Sequence, residues 1–329
     1  MAGPSAAYHS HCSKTKGAVR VDERQTESAE KRVVIWRLLD GKPGHENQSL
    51  GLCQALSRRI NVKQCDIPVA PRAVQLLQWL FGISPASKSL PPPDIVMGAG
   101  HMTHFALLAA KRRFAARAVV IMKPSLPLSL FDLCVIPAHD QTDGENVFVT
   151  QGVMNTVVAS SRKELSQGLI LLGGVSSHYD WKDDSVIAQV ESIVRLQPEV
   201  SFVLSDSRRT PVGFMGKLAA LQLKNLSLVP CQQTASGWVV EQLGLSHTVW
   251  VSEDSVSMVY EAISSGAVVG LISLKQRRVS RITKGVAQLI EGGWATTYEQ
   301  WQKTGKLGTP PGTFNEASRC VDWMVDQWF

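Results

Sequence analysis

The chain has 329 residues, about twice the ordinary single-domain length, so two domains of roughly 150 residues are expected. Hydrophobic residues make up 44% and charged residues 19%, a globular balance that excludes an intrinsically disordered chain. The 34 Lys+Arg against 28 Asp+Glu leave +6, which favours anionic ligands or an acidic membrane surface and is too small an excess for nucleic-acid binding.

Cys12, Cys53, Cys65, Cys134, Cys231 and Cys320 are scattered without a C-x-x-C pair, which argues against a disulfide framework or zinc ribbon and for reduced thiols in the cytoplasm. No uncharged apolar run reaches about 18 residues, so a transmembrane helix is not expected.

Residues 1–32 are polar and carry no secretory or transit signal, and a disordered N-terminal tail is the expectation. His9-Ser10-His11-Cys12 has metal-ligand chemistry, but no second cluster completes a coordination sphere. From Val33 the chain alternates. Val33 to Leu38 is a β-branched run ending in a Gly/Pro turn, and Leu50, Cys53, Leu56 and Ile60 then fall near helical spacing. Val62 to Val69 reads as a strand, and Pro71 opens a helix carrying Val74, Leu77, Leu80 and Phe81. Asp94 to Met97 is a strand, Gly98 to His101 a loop, and a helix runs on to Arg113; Ala118 to Met122 and Phe131 to Ile136 are further short strands.

A Ser-rich, charged stretch from Thr156 to Gln167 marks the domain junction. The pattern then restarts with strands over Gly168–Leu172, Ser201–Leu204, Leu226–Val229, Thr248–Val251 and Val268–Ile272, and helices over Ser185–Leu196, Val212–Leu223 and Val256–Ser264. Phe314 to Phe329 is amphipathic, with Val321, Met324, Val325 and Trp328 as its stripe. The fold class is therefore α/β, with two Rossmann-like domains facing a central cleft. The expected boundaries are 33–160 for an N-terminal domain, 161–312 for a C-terminal domain, and 313–329 for a last helix that can pack back on the first domain.

Ligands of such sheets bind in loops that follow strands. Four such loops carry chemistry. In Asp40 to Gln48 two glycines allow tight backbone geometry, the helix start offers free amides to an anion, and His45 suits either general-base catalysis or capping. In Gly98 to His104 the two imidazoles at i and i+3 read as hydrogen-bonding groups near substrate rather than metal ligands, because no acid stands nearby. Lys123, Ser125 and the His139-Asp140 pair close the same end of the domain. Gly173 to His178, with Ser176, joins Ser205 to Thr210 in a hydroxyl- and glycine-rich surface whose Arg208 and Arg209 match phosphate oxygens. In Ser252 to Ala262 the serines and helix start suit a diphosphate, and Glu261 stands alone on an apolar face, needing hydroxyl partners such as those of a ribose. Gly213 to Lys217 lacks the spacing of a P-loop, there is no G-x-S-x-G elbow, and Asp180 to Asp184 reads as helix capping.

Asp40 to Gln48, Lys123 to Pro127, Phe131-Asp132 to His139-Asp140, and Glu253 to Met258 continuing to Glu261 resemble the elongate-mitochondria (mitochondrial fission) family, over about residues 33 to 328. Bacterial members of that family are described as glycosyltransferases, and plant members act as adaptors that recruit a dynamin-like protein to mitochondria. The layout is more distantly similar to two-domain GT-B glycosyltransferases, among them the enzyme that adds N-acetylglucosamine to the lipid-linked peptidoglycan precursor. Gly41 to His45 resembles that enzyme's N-terminal glycine loop, Glu261 its nucleotide-ribose glutamate, and Gly173-Gly174 its C-domain glycine turn. Lys42-Pro43 in place of small residues, and a serine-acid pair in place of Ser-Gly-Ala at the helix start, depart from that pattern and bear on donor identity.

The resemblance implies a metal-independent glycosyltransferase that takes a nucleotide-sugar as substrate, with no further cofactor, and a glycan or glycolipid as acceptor. His45 would be the base. Gly173, Gly174, Ser176, Ser205, Arg208, Arg209, Ser255, Ser257, Met258 and Glu261 would hold the donor, and Lys42, Asn47, His101, His104, Lys123 and Ser125 would line the acceptor side. A catalytically silent adaptor and a nucleotide-sugar 2-epimerase are the alternatives. A cytoplasmic location, on the inner face of a membrane if the acceptor is lipid-linked, is expected. Leu76 to Ile83 or Leu126 to Phe131 could then approach the bilayer, although core burial is the ordinary fate of both.

Overall fold

The computed structural model describes residues 32–83 and 89–329, so the expectations for Met1–Lys31, including the His9 to Cys12 cluster, lie outside the described residues. The first lobe runs β1 (Val33–Leu39), α1 (Pro43–Ser57), β2 (Val62–Pro68), α2 (Arg72–Phe81), β3 (Ile95–Ala99), α3 (His104–Phe114), β4 (Arg117–Ile121), β5 (Leu133–Pro137) and β6 (Val147–Thr150). Proline opens α1, where its fixed φ fits the first turn and its missing N–H costs no helical hydrogen bond. Strands β1 to β6 form one sheet in the order β2-β1-β3-β4-β5-β6, with every pairing parallel.

The second lobe runs β7 (Glu164–Leu171), β8 (Tyr179–Asp180), α4 (Asp183–Leu196), β9 (Ser201–Ser205), α5 (Phe214–Ala219), β10 (Leu226–Leu228), α6 (Trp238–Leu245), β11 (Ser246–Ser252), α7 (Val256–Ser264), β12 (Val268–Ile272), β13 (Lys275–Gln276), α8 (Arg281–Glu291), β14 (Thr296–Thr297) and α9 (Tyr298–Thr304). Its main sheet, β10-β9-β7-β11-β12-β14, is also wholly parallel, and β13 pairs antiparallel with β8 beside it. The closing helix α10 (Glu316–Trp328) returns to the first lobe. Its Ala317, Cys320, Val321 and Met324 are buried with Leu52 and Leu56 of α1.

Alternation along the strands explains why both sheets are covered on both faces. Ile35, Met97, Val119 and Val135 point to the α1–α10 side, while Trp36, Val96, Val120 and Ile136 point to a second core with Leu107 and Leu108 of α3. In the second lobe Leu169, Leu171, Val249 and Val251 join α7, and Ile170, Leu172 and Trp250 join α4. The connecting segment is fixed to both lobes, with Met154 buried in the first core and Val157 in the second.

Strand order places the functional loops. In the first sheet the chain leaves β1 for β2 on one side and returns to β3 on the other, so the loops after β1 and β3 flank a switch point. The second sheet reverses in the same way between β7 and β11, so the loops after those strands flank its switch point.

Several local expectations are corrected. The helix expected over Val212–Leu223 is only Phe214–Ala219, because Gly213 takes φ 86° as its N-cap and leaves Val212 outside and exposed. Strand β7 begins at Glu164, inside the stretch read as junction. Asp183 does not cap α4: it accepts from Trp181 Nε1 and pairs with Lys217, and Asp180 pairs with Arg277. Core burial fails for Leu76 to Ile83, where Leu77, Leu80 and Phe81 are 54%, 51% and 72% exposed, because α2 turns Gln75 inward instead. It holds for Phe131, with Leu126, Leu128 and Leu130 packed against the same core.

Candidate active site between the lobes

The loop after β1 is wired by its own side chains. Asp40 Oδ1 accepts from the Lys42 amide, Glu46 Oε1 accepts from the Gly41 amide, and Arg37 Nη1 donates to the Glu46 carbonyl. Arg37 is itself buried on β1 and paired with Asp66. His45, in the first turn of α1, has Nδ1 2.8 Å from Asp40 Oδ2, and the Asp40 carboxylate is 1% exposed. With the Nδ1 proton on Asp40, the lone pair of a neutral imidazole lies on Nε2.

The loop after β3 supports that ring. Gly100 adopts φ 78°, and a Cβ there would overlap the His45 imidazole. The same loop carries exposed His101 and buried His104. Burial, with His101 and Arg72 nearby, pushes the His104 imidazole down to about 4, so it is neutral at pH 7. Its Nδ1 lies 3.4 Å from Ser125 Oγ, and Lys123 Nζ, on the same connection, reaches the Asp140 carbonyl at 3.4 Å. The second loop and the Lys123–Ser125 turn therefore meet. Among the described residues no group of three or more His, Cys, Asp or Glu is arranged to hold a metal ion.

In the second lobe the loops after β7 and β11 are tied to each other through Asp254. Its carboxylate, fully buried, accepts from the Gly174 amide at 2.9 Å and from Ser252 Oγ at 2.7 Å, and pairs with Arg209 Nη1 at 2.8 Å. A Cβ at Gly173 would overlap that carboxylate. Both Arg208 and Arg209 are exposed, and Arg209 is the one anchored on the glycine turn, through Asp254 and the Val175 carbonyl. Ser205 is buried at the end of β9, and the Ser176 hydroxyl accepts the His178 and Tyr179 amides of its own loop, so neither lines the cleft below. Helix α7 begins after Ser255 with no side-chain cap, leaving its first-turn amides at Val256, Ser257 and Met258 for another acceptor.

The lobes meet at Glu261. A cleft of about 440 Å³ is lined by Arg37, Gly44, Glu46 and Asn47 from the first lobe and by Ser257 and Glu261 from the second. Across it Asn47 Nδ2 donates to Glu261 Oε1 at 3.0 Å, and Thr156 of the connecting segment donates to Asn47 Oδ1 at 3.5 Å. Enclosure pushes the Glu261 carboxyl up to about 7, against the pull of the Asn47 amide. A smaller apolar cavity of about 260 Å³ opens on the other side of α7, between Val256 and Tyr260 and the first lobe's Met122 and Pro137.

Asn47, Ser257 and Glu261 thus line one cleft, His45 stands between its lining residues Gly44 and Glu46, and Gly174 and Arg209 are joined to each other through Asp254 outside that lining. His101, Lys123 and Ser125 lie on the first lobe's own rim, and Lys42, exposed, is the N-cap of α1. Four residues of the site are added by the structure: Asp40, Arg37, Thr156 and Asp254. Asp40 and Asp254 stand inside the motifs read from sequence; a carboxylate five residues before a histidine is a usable signal for Asp40, whereas Asp254 meets the Gly173–Gly174 turn only through the strand order. Nothing in the sequence marks Thr156.

Two parallel α/β lobes with a cleft between them make a GT-B-type fold. The chain belongs to the mitochondrial fission ELM1 family, whose profile matches residues 43–328. It is 21% identical to an uncharacterized protein of Rickettsia prowazekii (strain Madrid E), over 70% of this chain and 81% of that one. Among solved structures it is similar to the UDP-GlcNAc 2-epimerase of Methanocaldococcus jannaschii (11% identity, TM-score 0.56) and to MurG of Acinetobacter baumannii (13% identity, TM-score 0.51), covering 90% of this chain and 100% of each of those. It is similar also to the UDP-GlcNAc 2-epimerase of Neisseria meningitidis bound to UDP-GlcNAc (14% identity, TM-score 0.50, the same coverage). At these identities the likeness establishes the fold.

Proposed function

We propose that the protein transfers a sugar from a nucleotide-sugar, of the UDP-sugar class, to a hydroxyl of a glycan or glycolipid acceptor without a metal ion. The observation that carries the reading is the cleft in which Asn47 of the first lobe meets the enclosed Glu261 carboxylate of the second, with the Asp40-oriented imidazole of His45 carried by the same helix turn as the cleft-lining Gly44 and Glu46. Glu261 accepts hydrogen bonds from the ribose hydroxyls in place of Asn47. The first-turn amides of α7, with Arg209 alongside the glycine turn, take the diphosphate, whose charge the helix dipole favours.

In the reaction the acceptor O–H gives its proton to His45 Nε2 while its oxygen bonds to the anomeric carbon. The bond from that carbon to the diphosphate oxygen breaks, and the nucleoside diphosphate departs with the electron pair. Configuration inverts. Asp40 holds the imidazole in the tautomer with Nε2 free and stabilises the imidazolium that forms.

The test is turnover of a panel of UDP-sugars by the purified full chain, with lipid-linked and soluble glycan acceptors, in EDTA. Acceptor-dependent release of UDP is expected. Release of UDP with an epimerised hexosamine and no acceptor product would replace transfer by epimerisation. Absence of any UDP-sugar binding would leave the fold as a silent adaptor scaffold.

A further inference from the structure

Helix α2 is amphipathic in the reverse sense. Its inward face carries the partly buried Trp79, packed on the first lobe's core, and Gln75, 1% exposed, whose amide donates to the Ala70 and Met102 carbonyls and whose Oε1 accepts from the Ala106 amide. Those bonds fix the helix rotation, and Val74, Leu77, Leu80 and Phe81 are held outward as a consequence. A buried, fully bonded glutamine cannot be exchanged for the apolar stripe without leaving polar atoms unpaired, so the exposed face is a specified feature of the fold.

The charge around that face has one sign. Arg72, Arg112 and Arg113 are exposed at its ends, and between residues 67 and 131 the sequence has one acid, Asp94. Asp94 is spent on the Val34 amide, and Lys111 is neutralised by Asp132. Arg112 stands at the end of α2, donating to the Trp79 and Leu80 carbonyls, and Arg113 is exposed beside it. Arg72 starts the same helix, over the Phe105 ring.

We infer that the outward face of α2, with Arg72, Arg112 and Arg113 at its rim, docks the protein on an anionic lipid surface. Apolar tips supply insertion into the headgroup–acyl boundary, and the arginines supply attraction to anionic lipids. The same helix holds the loop of His101 and His104 through the Gln75–Met102 bond, so docking sets the acceptor side of the cleft at the membrane. The inference stands on α2 alone and does not require sugar transfer.

The test is co-sedimentation of the full chain with phosphatidylcholine vesicles with and without phosphatidylglycerol, for the wild type, Leu77→Ser/Phe81→Ser and Arg113→Glu. Binding to the anionic vesicles is expected, weakened at least about tenfold by the double substitution and reduced by Arg113→Glu and by salt. Unchanged melting temperatures and UDP-sugar titrations of the variants separate this result from the donor reading. No anionic-vesicle binding by the wild type, or equal binding by the double variant, overturns the inference. A vesicle-independent dimer that the double substitution dissolves also overturns it, by assigning the face to a second copy.

Discussion

Asn47 Nδ2 and Glu261 Oε1 lie 3.0 Å apart on opposite walls of the cleft, although 214 residues separate them in the chain. The carboxylate offered to a ligand is thus satisfied by the first lobe, and a donor's hydroxyls must take over the role of that amide. Glu261→Ala should weaken UDP-sugar binding about 10- to 100-fold, the range for losing hydrogen bonds to a charged group, without altering the melting temperature by much. Isothermal titration of the two proteins checks it.

The protonation of Glu261 gives binding a pH dependence. Enclosure raises its carboxyl to about 7, and ribose hydroxyls favour the ionised form, so affinity should rise about tenfold from pH 6 to pH 8 and then level off. Glu261→Gln should flatten the profile. Asn47→Ala, which removes the hydrogen bond that favours ionisation, should move its midpoint upward.

Stability should run the other way. Burial also raises the Glu253 carboxyl to about 7, despite the Leu274 amide it accepts. Between the unfolded value near 4.5 and about 7 the folded chain therefore binds more protons than the unfolded chain at Glu253 and Glu261. Their contribution is fully present at the acid end of that window and is lost as pH rises through it. Urea midpoints followed from pH 5 to pH 7.5 should show a decline at these two sites that Glu253→Gln reduces.

Asp40 acts through His45. Asp40→Asn keeps the size of the side chain but no longer holds the Nδ1 proton, and under the proposed mechanism kcat should fall about 10²- to 10⁴-fold. The dissociation constant for the UDP-sugar should be unchanged, and steady-state rates beside a binding titration separate the two effects.

Gly51 marks how closely α1 approaches the connecting segment. A Cβ there would overlap the Asn155 carbonyl, and Asn155 in turn donates to Ser264 Oγ in the second lobe. Gly51→Ala should cost about 1–3 kcal/mol by overpacking, measured by urea unfolding.

The alternation of short apolar strands with helices was sufficient to locate both sheets, because the inner strands β1, β3, β4, β5, β11 and β12 are buried on two faces and leave short apolar runs, while the edge strands β2 and β10 are half-exposed. Elements with weaker local signals were not legible: β6 is only Val147–Thr150, and α8 carries Gly285 in its middle. Periodicity showed that α2 has an apolar stripe but not which way it faces, since that is decided by the three hydrogen bonds of Gln75. The loops of the site were legible as Gly, His, Ser and acid clusters after strands. Their pairings were not, because Asp254 with Gly174 and Asn47 with Glu261 depend on strand order.

The measurement closest to the central claim is calorimetric titration of the purified chain with UDP-N-acetylglucosamine in EDTA at pH 8, for wild type and Glu261→Ala in parallel. Saturable binding by the wild type, lost or strongly weakened in the variant, is the predicted result. No heat from the wild type, or equal affinity in both proteins, contradicts a nucleotide-sugar seat at Glu261.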